Sequence, residues 1–144
     1  MPKTVQSYSE IRGKIISGID KISQPVIQTL TPSGKNVIFD DEIGNVYSTN
    51  DGYTIIKNIT LDDPVENAIA SMIKQASFKT NMVAGDGTTT TILLASNLIK
   101  NGFRLIDNGW NQMDLSRDLQ EVSTKLLEEI NKRKTEVTND SELE

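Results

Sequence analysis

Neither cysteine nor histidine occurs anywhere in these 144 residues. That double absence removes disulfides, thiol nucleophiles, zinc centres and imidazole acid–base catalysis. Aromatic residues are scarce at 5%, and only 36% of the chain is hydrophobic. Such a composition suits a soluble, helix-rich chain with a modest core. Positive charge is in deficit too: 15 Lys and Arg stand against 20 Asp and Glu, a net charge of −5. No basic surface recommends nucleic acid as a partner, so none is expected. Any phosphate binding has to be local, through backbone N–H groups and a metal ion. No apolar run reaches membrane-spanning length, and Met1-Pro2-Lys3-Thr4-Val5-Gln6 has no apolar core of a signal peptide. A cytoplasmic chain with no membrane partner is expected.

What the chain does have is the stretch Val83-Ala84-Gly85-Asp86-Gly87-Thr88-Thr89-Thr90-Thr91, followed by the apolar run Ile92 to Ile99 with helical spacing. Glycine tolerates positive φ and lets a ligand approach the backbone. A helix opening just after such a loop offers unpaired N–H groups and a positive dipole end to an anion. Asp86 at the tip suits Mg²⁺ shared with phosphate oxygens, since hard cations take oxygen ligands. The plainer alternative is that Thr88 N-caps a helix after a glycine turn. Four consecutive threonines favour the first reading, because Thr is a mediocre helix former and its hydroxyls serve better as ligands or caps. Without Gly-Lys-Ser/Thr, this is no Walker loop.

The fold class expected is mainly α with a small β hairpin. Residues 1–7 read as a polar tail. Ile11, Ile15, Ile19, Ile22, Val26 and Leu30 recur at steps of three and four, one apolar helix face, with a kink or break expected near Gln24 because of Pro25. Thr31-Pro32-Ser33-Gly34 is a turn. A short strand is expected over Lys35–Phe39. The runs Val46–Ser48 and Tyr53–Ile56 read as a hairpin joined through Thr49-Asn50-Asp51-Gly52, with Asp51 an ordinary turn residue. Asp62-Asp63-Pro64 opens a helix with an acidic cap and proline at its first position, its apolar face being Ala68, Ile69, Met72, Ile73 and Ala76. After the threonine-headed helix, which either ends at or crosses Gly102, Asn111 caps a last helix. Leu115, Leu119, Val122, Leu126 and Ile130 are expected to line its buried side, and Lys132-Arg133-Lys134 complements its C-terminal dipole. Residues 135–144 are polar and lack periodicity.

Thr29-Leu30-Thr31-Pro32, Gly34-Lys35-Asn36-Val37, Asp51-Gly52, Asp62 to Asn67, Ala84 through Thr90 and Asn111 to Leu115 occur in one order and spacing. Over about Tyr8 to Leu127 the chain resembles the N-terminal part of the equatorial domain of bacterial and organellar (group I, GroEL-like) chaperonins. The resemblance implies an equatorial-type helical bundle, incomplete here, with residues 8–134 as its N-terminal half and 135–144 as a shortened linker. It implies an ATP-dependent chaperone that forms heptameric rings from copies of itself, encloses non-native polypeptides and works with a co-chaperonin. It further implies that Thr29, Leu30, Thr31 and Pro32 line ATP. Asp86 would ligate Mg²⁺ and Gly87, Thr88, Thr89 and Thr90 would bind phosphates. Thr29, Asn50 and Thr89 would lie near a monovalent cation such as K⁺, Asn50 also lying at the nucleotide. Asp51 would stand by the γ-phosphate and attacking water as a supporting catalytic group.

The chain departs from the resemblance at several points. Thr31 stands where the family has Gly, Asn50 where it has Lys, Ser33 where it has a basic residue and Gln112 where it has Pro, while Pro25 is foreign to it. In the family the principal water-activating aspartate and the adenine contacts come from a second half far along the chain. An isolated chain of this length is therefore expected to be inactive as an ATPase, being a fragment or one part of a split gene. The alternative is a non-enzymatic subunit that joins a full-length chaperonin and modulates it.

Overall fold

The computed structural model describes residues 7–30, 34–40 and 43–135. The expected N-terminal tail, the turn at Thr31-Pro32-Ser33 with its two site residues Thr31 and Pro32, and the linker beyond residue 135 lie outside them. The elements in order are α1 (Tyr8–Ile27), β1 (Val37–Asp40), β2 (Val46–Thr49), α2 (Gly52–Asn58), α3 (Pro64–Ala84), α4 (Thr88–Asp107) and α5 (Gln112–Arg133). The expected mainly helical class with one hairpin holds. The chain divides into two compact units, residues 1–101 and 102–144.

In the first unit, Ser7 caps α1 reciprocally: its hydroxyl accepts from Glu10 N, and Glu10 Oε2 accepts from Ser7 N at 2.8 Å. Ile19, Ile22 and Val26 carry α1 into a core shared with Ile55 and Ile56 of α2, Ala70 and Ile73 of α3 and Ile92 of α4. Of the kink or break expected near Gln24, the break does not occur, and α1 runs on to Ile27. Pro25 falls in the last turn of α1, where only one intrahelical bond is forfeited and the helix ends two residues later. Thr29 N and Leu30 N then bond Val26 O and Ile27 O, and Lys35 N returns to Gln28 O at 3.2 Å.

The expected hairpin over Val46–Ile56 is corrected. β2 pairs instead with β1, antiparallel, with Phe39 opposite Tyr47 and their rings stacked at 5.6 Å. Tyr53–Ile56 belongs to α2. Asp51 accepts from Tyr53 N and Thr54 N and so starts a helix, and Ile55 and Ile56, adjacent in sequence, are both buried. Alternating burial, which a strand needs, is absent.

Asp63 caps α3 and Pro64 occupies its first position, as expected. The expected apolar face of α3 holds at Ile73, which is buried, and at Ile69, which packs against the core, but not at Ala68, Met72 or Ala76, which are exposed; the buried stripe is Glu66, Ala70, Ile73 and Ser77. Two polar residues sit in that stripe because each has a partner. Glu66 accepts from Ser17 Oγ at 2.7 Å and Lys21 Nζ at 2.5 Å. The Lys21 and Ser17 hydrogen bonds hold its carboxyl below the usual carboxylate range. Next to it, Lys14 bonds Asp63 at 2.6 Å and lowers that carboxyl likewise. The helices approach so closely here that a Cβ on Gly18 would stand 2.9 Å from Glu66 O, and glycine at 18 permits the contact. Lys100 of α4 pairs with Asp20 of α1.

In the second unit α4 crosses Gly102 and ends at a Schellman turn. Gly109 has φ +92°, Trp110 N bonds Leu105 O at 3.1 Å and Gly109 N bonds Ile106 O at 3.0 Å. Asn111 Oδ1 accepts from Met113 N and Asp114 N, capping α5 as expected. The expected buried side of α5 is corrected. Only Leu115 is buried, near Gly102, whereas Leu119, Val122, Leu126 and Ile130 are 41–60% exposed. The apolar rhythm is real, but the described residues do not cover it.

Candidate nucleotide site

The site grows from the way three helix ends meet. α3 terminates at Gly85, whose φ of +73° is left-handed and whose N–H bonds Asn81 O at 2.8 Å. Asp86 is exposed, and its Oδ1 accepts from Gly87 N at 2.6 Å. Gly87, with φ +82°, supplies the carbonyl that receives Thr91 N at 2.9 Å, the first bond of α4. Among the described residues no group accepts from the N–H of Thr88, Thr89 or Thr90. Thr88 is therefore the first residue of α4, not its cap. It is buried, Thr89 is half-buried and Thr90 is exposed.

The second helix end is that of α2. Asp51 Oδ2 accepts from Thr54 N at 2.9 Å and Thr54 Oγ1 at 2.5 Å, and Oδ1 accepts from Tyr53 N at 3.3 Å. The Thr54 hydroxyl, aided by both N–H groups, holds the Asp51 carboxyl below its ordinary range, against a smaller opposing effect of burial. Gly52 is buried at the junction. A Cβ there would lie 2.0 Å from Thr89 Oγ1 and 3.2 Å from Val26 Cγ1. So the start of α2, the threonine loop and the end of α1 touch at one point. The third end brings Thr29, whose Oγ1 donates to Val26 O at 2.7 Å.

Of the residues singled out in the sequence, Thr29, Asp51 and Thr89 thus converge around Gly52 and Val26. Asp86 and Gly87 form the loop just ahead of α4, and Thr88 and Thr90 flank Thr89 in its first turn. Asn50 is exposed just before Asp51, and Leu30 is 41% exposed just after Thr29. The Asn50 side chain makes no hydrogen bond among the described residues. Three contributors were not picked out in the sequence: Thr54, Ser77 and Thr80. Thr54 had a signal, since an acceptor and a hydroxyl three residues apart is the spacing of a helix start.

The donor set fits Mg²⁺ shared with phosphate. No cluster of three or more carboxylates exists among the described residues, so the chain offers one exposed carboxylate oxygen, threonine hydroxyls and helix N–H groups. Mg²⁺ is commonly held by one or two carboxylates plus substrate phosphates in this manner. No helix among the described residues is long and apolar enough to cross a membrane.

Comparison with known proteins bears on this arrangement. The sequence profile of the TCP-1/cpn60 chaperonin family matches residues 22–144. Proteins named Chaperonin GroEL 1 from two strains of Corynebacterium glutamicum are each 41% identical over 143 residues, 99% of this chain and 27% of theirs. Chaperonin GroEL of Mycoplasma pneumoniae is 37% identical over 144 residues, 100% of this chain and 26% of its own. The chain spans about a quarter of the length of the curated relatives it matches.

Proposed function

The chain belongs to the TCP-1/cpn60 chaperonin family, and on that premise we propose that it carries the Mg-ATP-binding part of an ATP-driven protein-folding ring. Residues 8–134 correspond in this reading to the N-terminal half of the equatorial domain. The partners of the intact protein are further copies of itself in a heptameric ring, non-native polypeptides and a co-chaperonin. The observation that carries the reading is the contact of Gly52 with Thr89 and Val26, which joins three segments far apart in sequence.

Each residue has a definite task. The N–H groups of Thr88–Thr90 and the dipole of α4 face the phosphates, and Gly87 leaves room for their approach. Asp86 would hold Mg²⁺, which would supply positive charge against the phosphate oxygens during transfer to water. Thr29, Asn50 and Thr89 offer oxygens to K⁺, and Leu30, with Thr31 and Pro32, lines the nucleotide. Asp51 accepts a hydrogen bond from the water that attacks the γ-phosphorus as the bond to the bridging oxygen breaks. Since its carboxyl is held low, it is a weak proton acceptor, and it orients water rather than deprotonating it. That fits a supporting group, with the principal base elsewhere in the intact protein.

Titration of the chain with ATP, with and without Mg²⁺, tests this. We expect weak, Mg²⁺-dependent binding that Asp86→Ala removes, and no turnover. Mg²⁺-independent binding, indifferent to Asp86→Ala, sinks the site assignment. Turnover abolished by Asp86→Ala shows instead that the chain is catalytically sufficient. The apolar face of α5, which the described residues leave uncovered, favours a second reading, a non-enzymatic subunit that docks on a full-length chaperonin and modulates it. Co-purification with a heavier chaperonin chain supports that reading, and a well-behaved monomer counts against it.

A further inference from the structure

Behind the proposed phosphate loop, α3 presents two hydroxyls three residues apart, Ser77 and Thr80, to the first turn of α4. Ser77 is fully buried and its Oγ donates to Thr88 O at 3.4 Å. Thr91 Oγ1 lies 2.9 Å from Gly87 O and 3.1 Å from Thr80 Oγ1. Thr80 Oγ1 in turn lies 3.2 Å from Ala76 O. Thr80 Cγ2 also packs 3.6 Å from where a Cβ on Gly87 would stand.

A threonine bonding the carbonyl four residues back is ordinary helix behaviour, so Thr91 to Gly87 O alone needs no purpose. The cross-helix contact with Thr80 is different. Two hydroxyl protons serve the three contacts: Thr80 donates to Ala76 O, and the Thr91 proton is shared between Gly87 O and Thr80 Oγ1 in a three-centre bond. That shared proton ties α3 to the second glycine of the loop. Gly87 gains most from such a tie, because a glycine at φ +82° has many alternatives to sample.

We propose that Thr80 and Thr91 are positioning residues that clasp Gly87 from behind and hold the N–H groups of Thr88–Thr90 in the orientation a phosphate ligand needs. The clasp rests on the nucleotide-binding reading above and touches no ligand. It acts by limiting the conformers of the loop before the ligand arrives, and a smaller competent fraction lowers apparent affinity in proportion.

The test uses the full 144-residue chain, observing the amides of Gly85–Thr90 by NMR during a Mg-ATP titration, beside amide exchange and thermal unfolding. Thr91→Val and Thr80→Val keep the shape and delete the hydroxyl, while Thr91→Ser keeps the hydroxyl. We expect either valine variant to weaken Mg-ATP about three- to tenfold, the scale of one net hydrogen bond, with faster exchange at Gly87 and Thr88. Thr91→Ser restores both. The double valine variant is no weaker than the single ones, since the contact is shared. Unchanged affinity and exchange in Thr91→Val, or failure of Thr91→Ser to rescue, overturns the clasp. Should the unmodified chain ignore Mg-ATP, the nucleotide-binding reading fails. The clasp is then judged on exchange alone, supported if Thr91→Val speeds it at Gly87 and overturned if not.

Discussion

The chain uses the dipeptide Asp-Gly twice, each time just ahead of a helix, and the two copies are built for opposite purposes. At Asp51-Gly52 the carboxylate turns inward on its own helix, taking two N–H groups and the Thr54 hydroxyl. Its glycine is the first helical residue, buried against Thr89 and Val26. At Asp86-Gly87 the carboxylate takes only the next N–H, and its glycine stands outside the helix at positive φ. The first three helical N–H groups there have no acceptor among the described residues. A closed start stabilises the protein; an open one leaves the helix N–H groups without an acceptor among the described residues, as the proposed phosphate site requires. The helix N-terminus can be spent on its own aspartate or on a phosphate, not both.

The largest expected effect comes from the closed copy. In Gly52→Ala the new methyl must displace Thr89 Oγ1, 2.0 Å away, and crowd Val26 Cγ1 at 3.2 Å. Overpacking of this kind costs about 1–3 kcal/mol, and we expect a value near the upper end, read by denaturant unfolding. Because Thr89 moves, Mg-ATP binding falls too. An alanine variant as stable as the parent would falsify the contact. At the open copy, Gly87→Ala meets nothing closer than Thr80 Cγ2 at 3.6 Å. Its penalty is conformational, roughly 1–2 kcal/mol for a side chain at left-handed φ, so the same substitution fails for a different reason. Gly87→Asn separates the two, since asparagine tolerates that region better: it recovers part of the loss, whereas at position 52 it recovers none.

How far this contrast is legible in sequence differs between the copies. Gly85-Asp86-Gly87 ahead of a threonine run reads as a loop opening a helix, and the structure agrees. Asp51-Gly52 reads as a hairpin turn because Val46–Ser48 and Tyr53–Ile56 are both rich in β-favouring residues. Burial of Ile55 beside Ile56 overrides that propensity, and only tertiary packing supplies it. The α3 stripe misleads for a related reason. Glu66 and Ser77 look like surface residues until Lys21, Ser17 and Thr88 O are placed around them. For α5 the periodicity is correct, but whether its apolar face is covered depends on groups beyond the described residues.

A smaller effect sharpens the closed copy. Removing the cap in Asp51→Ala costs about 1 kcal/mol, while Asp51→Asn keeps an acceptor and costs less. The pH dependence separates charge from capping. The Asp51 carboxyl is lowered in the folded chain, so the charged cap contributes fully above its unfolded value of about 3.9. That contribution is lost as pH falls through the lower folded value. Glu10, Asp63 and Glu66 are lowered as well, so the parent weakens in acid for several reasons at once. The stability difference between parent and Asp51→Asn isolates one of them. It is constant from neutral pH to about pH 5 and shrinks below that as the parent protonates. A difference flat down to pH 2 would mean that the Asp51 charge adds nothing to the cap.

The smallest expected change in stability belongs to Asp86→Ala, and it is the most informative about the open copy. Asp86 accepts one hydrogen bond, from its immediate neighbour, and it is exposed. Its removal leaves Gly87 N free to bond water, so unfolding should shift by no more than about 0.5 kcal/mol, the usual limit for surface changes away from caps and cores. An aspartate that does little for the fold, beside three helix N–H groups with no acceptor among the described residues, is what the proposed metal-and-phosphate site requires. A loss of stability matching that of Asp51→Ala would show that Asp86 is a second structural cap, and the two Asp-Gly copies would then be the same device. Unchanged unfolding with lost Mg²⁺ dependence of ATP binding would leave the contrast standing.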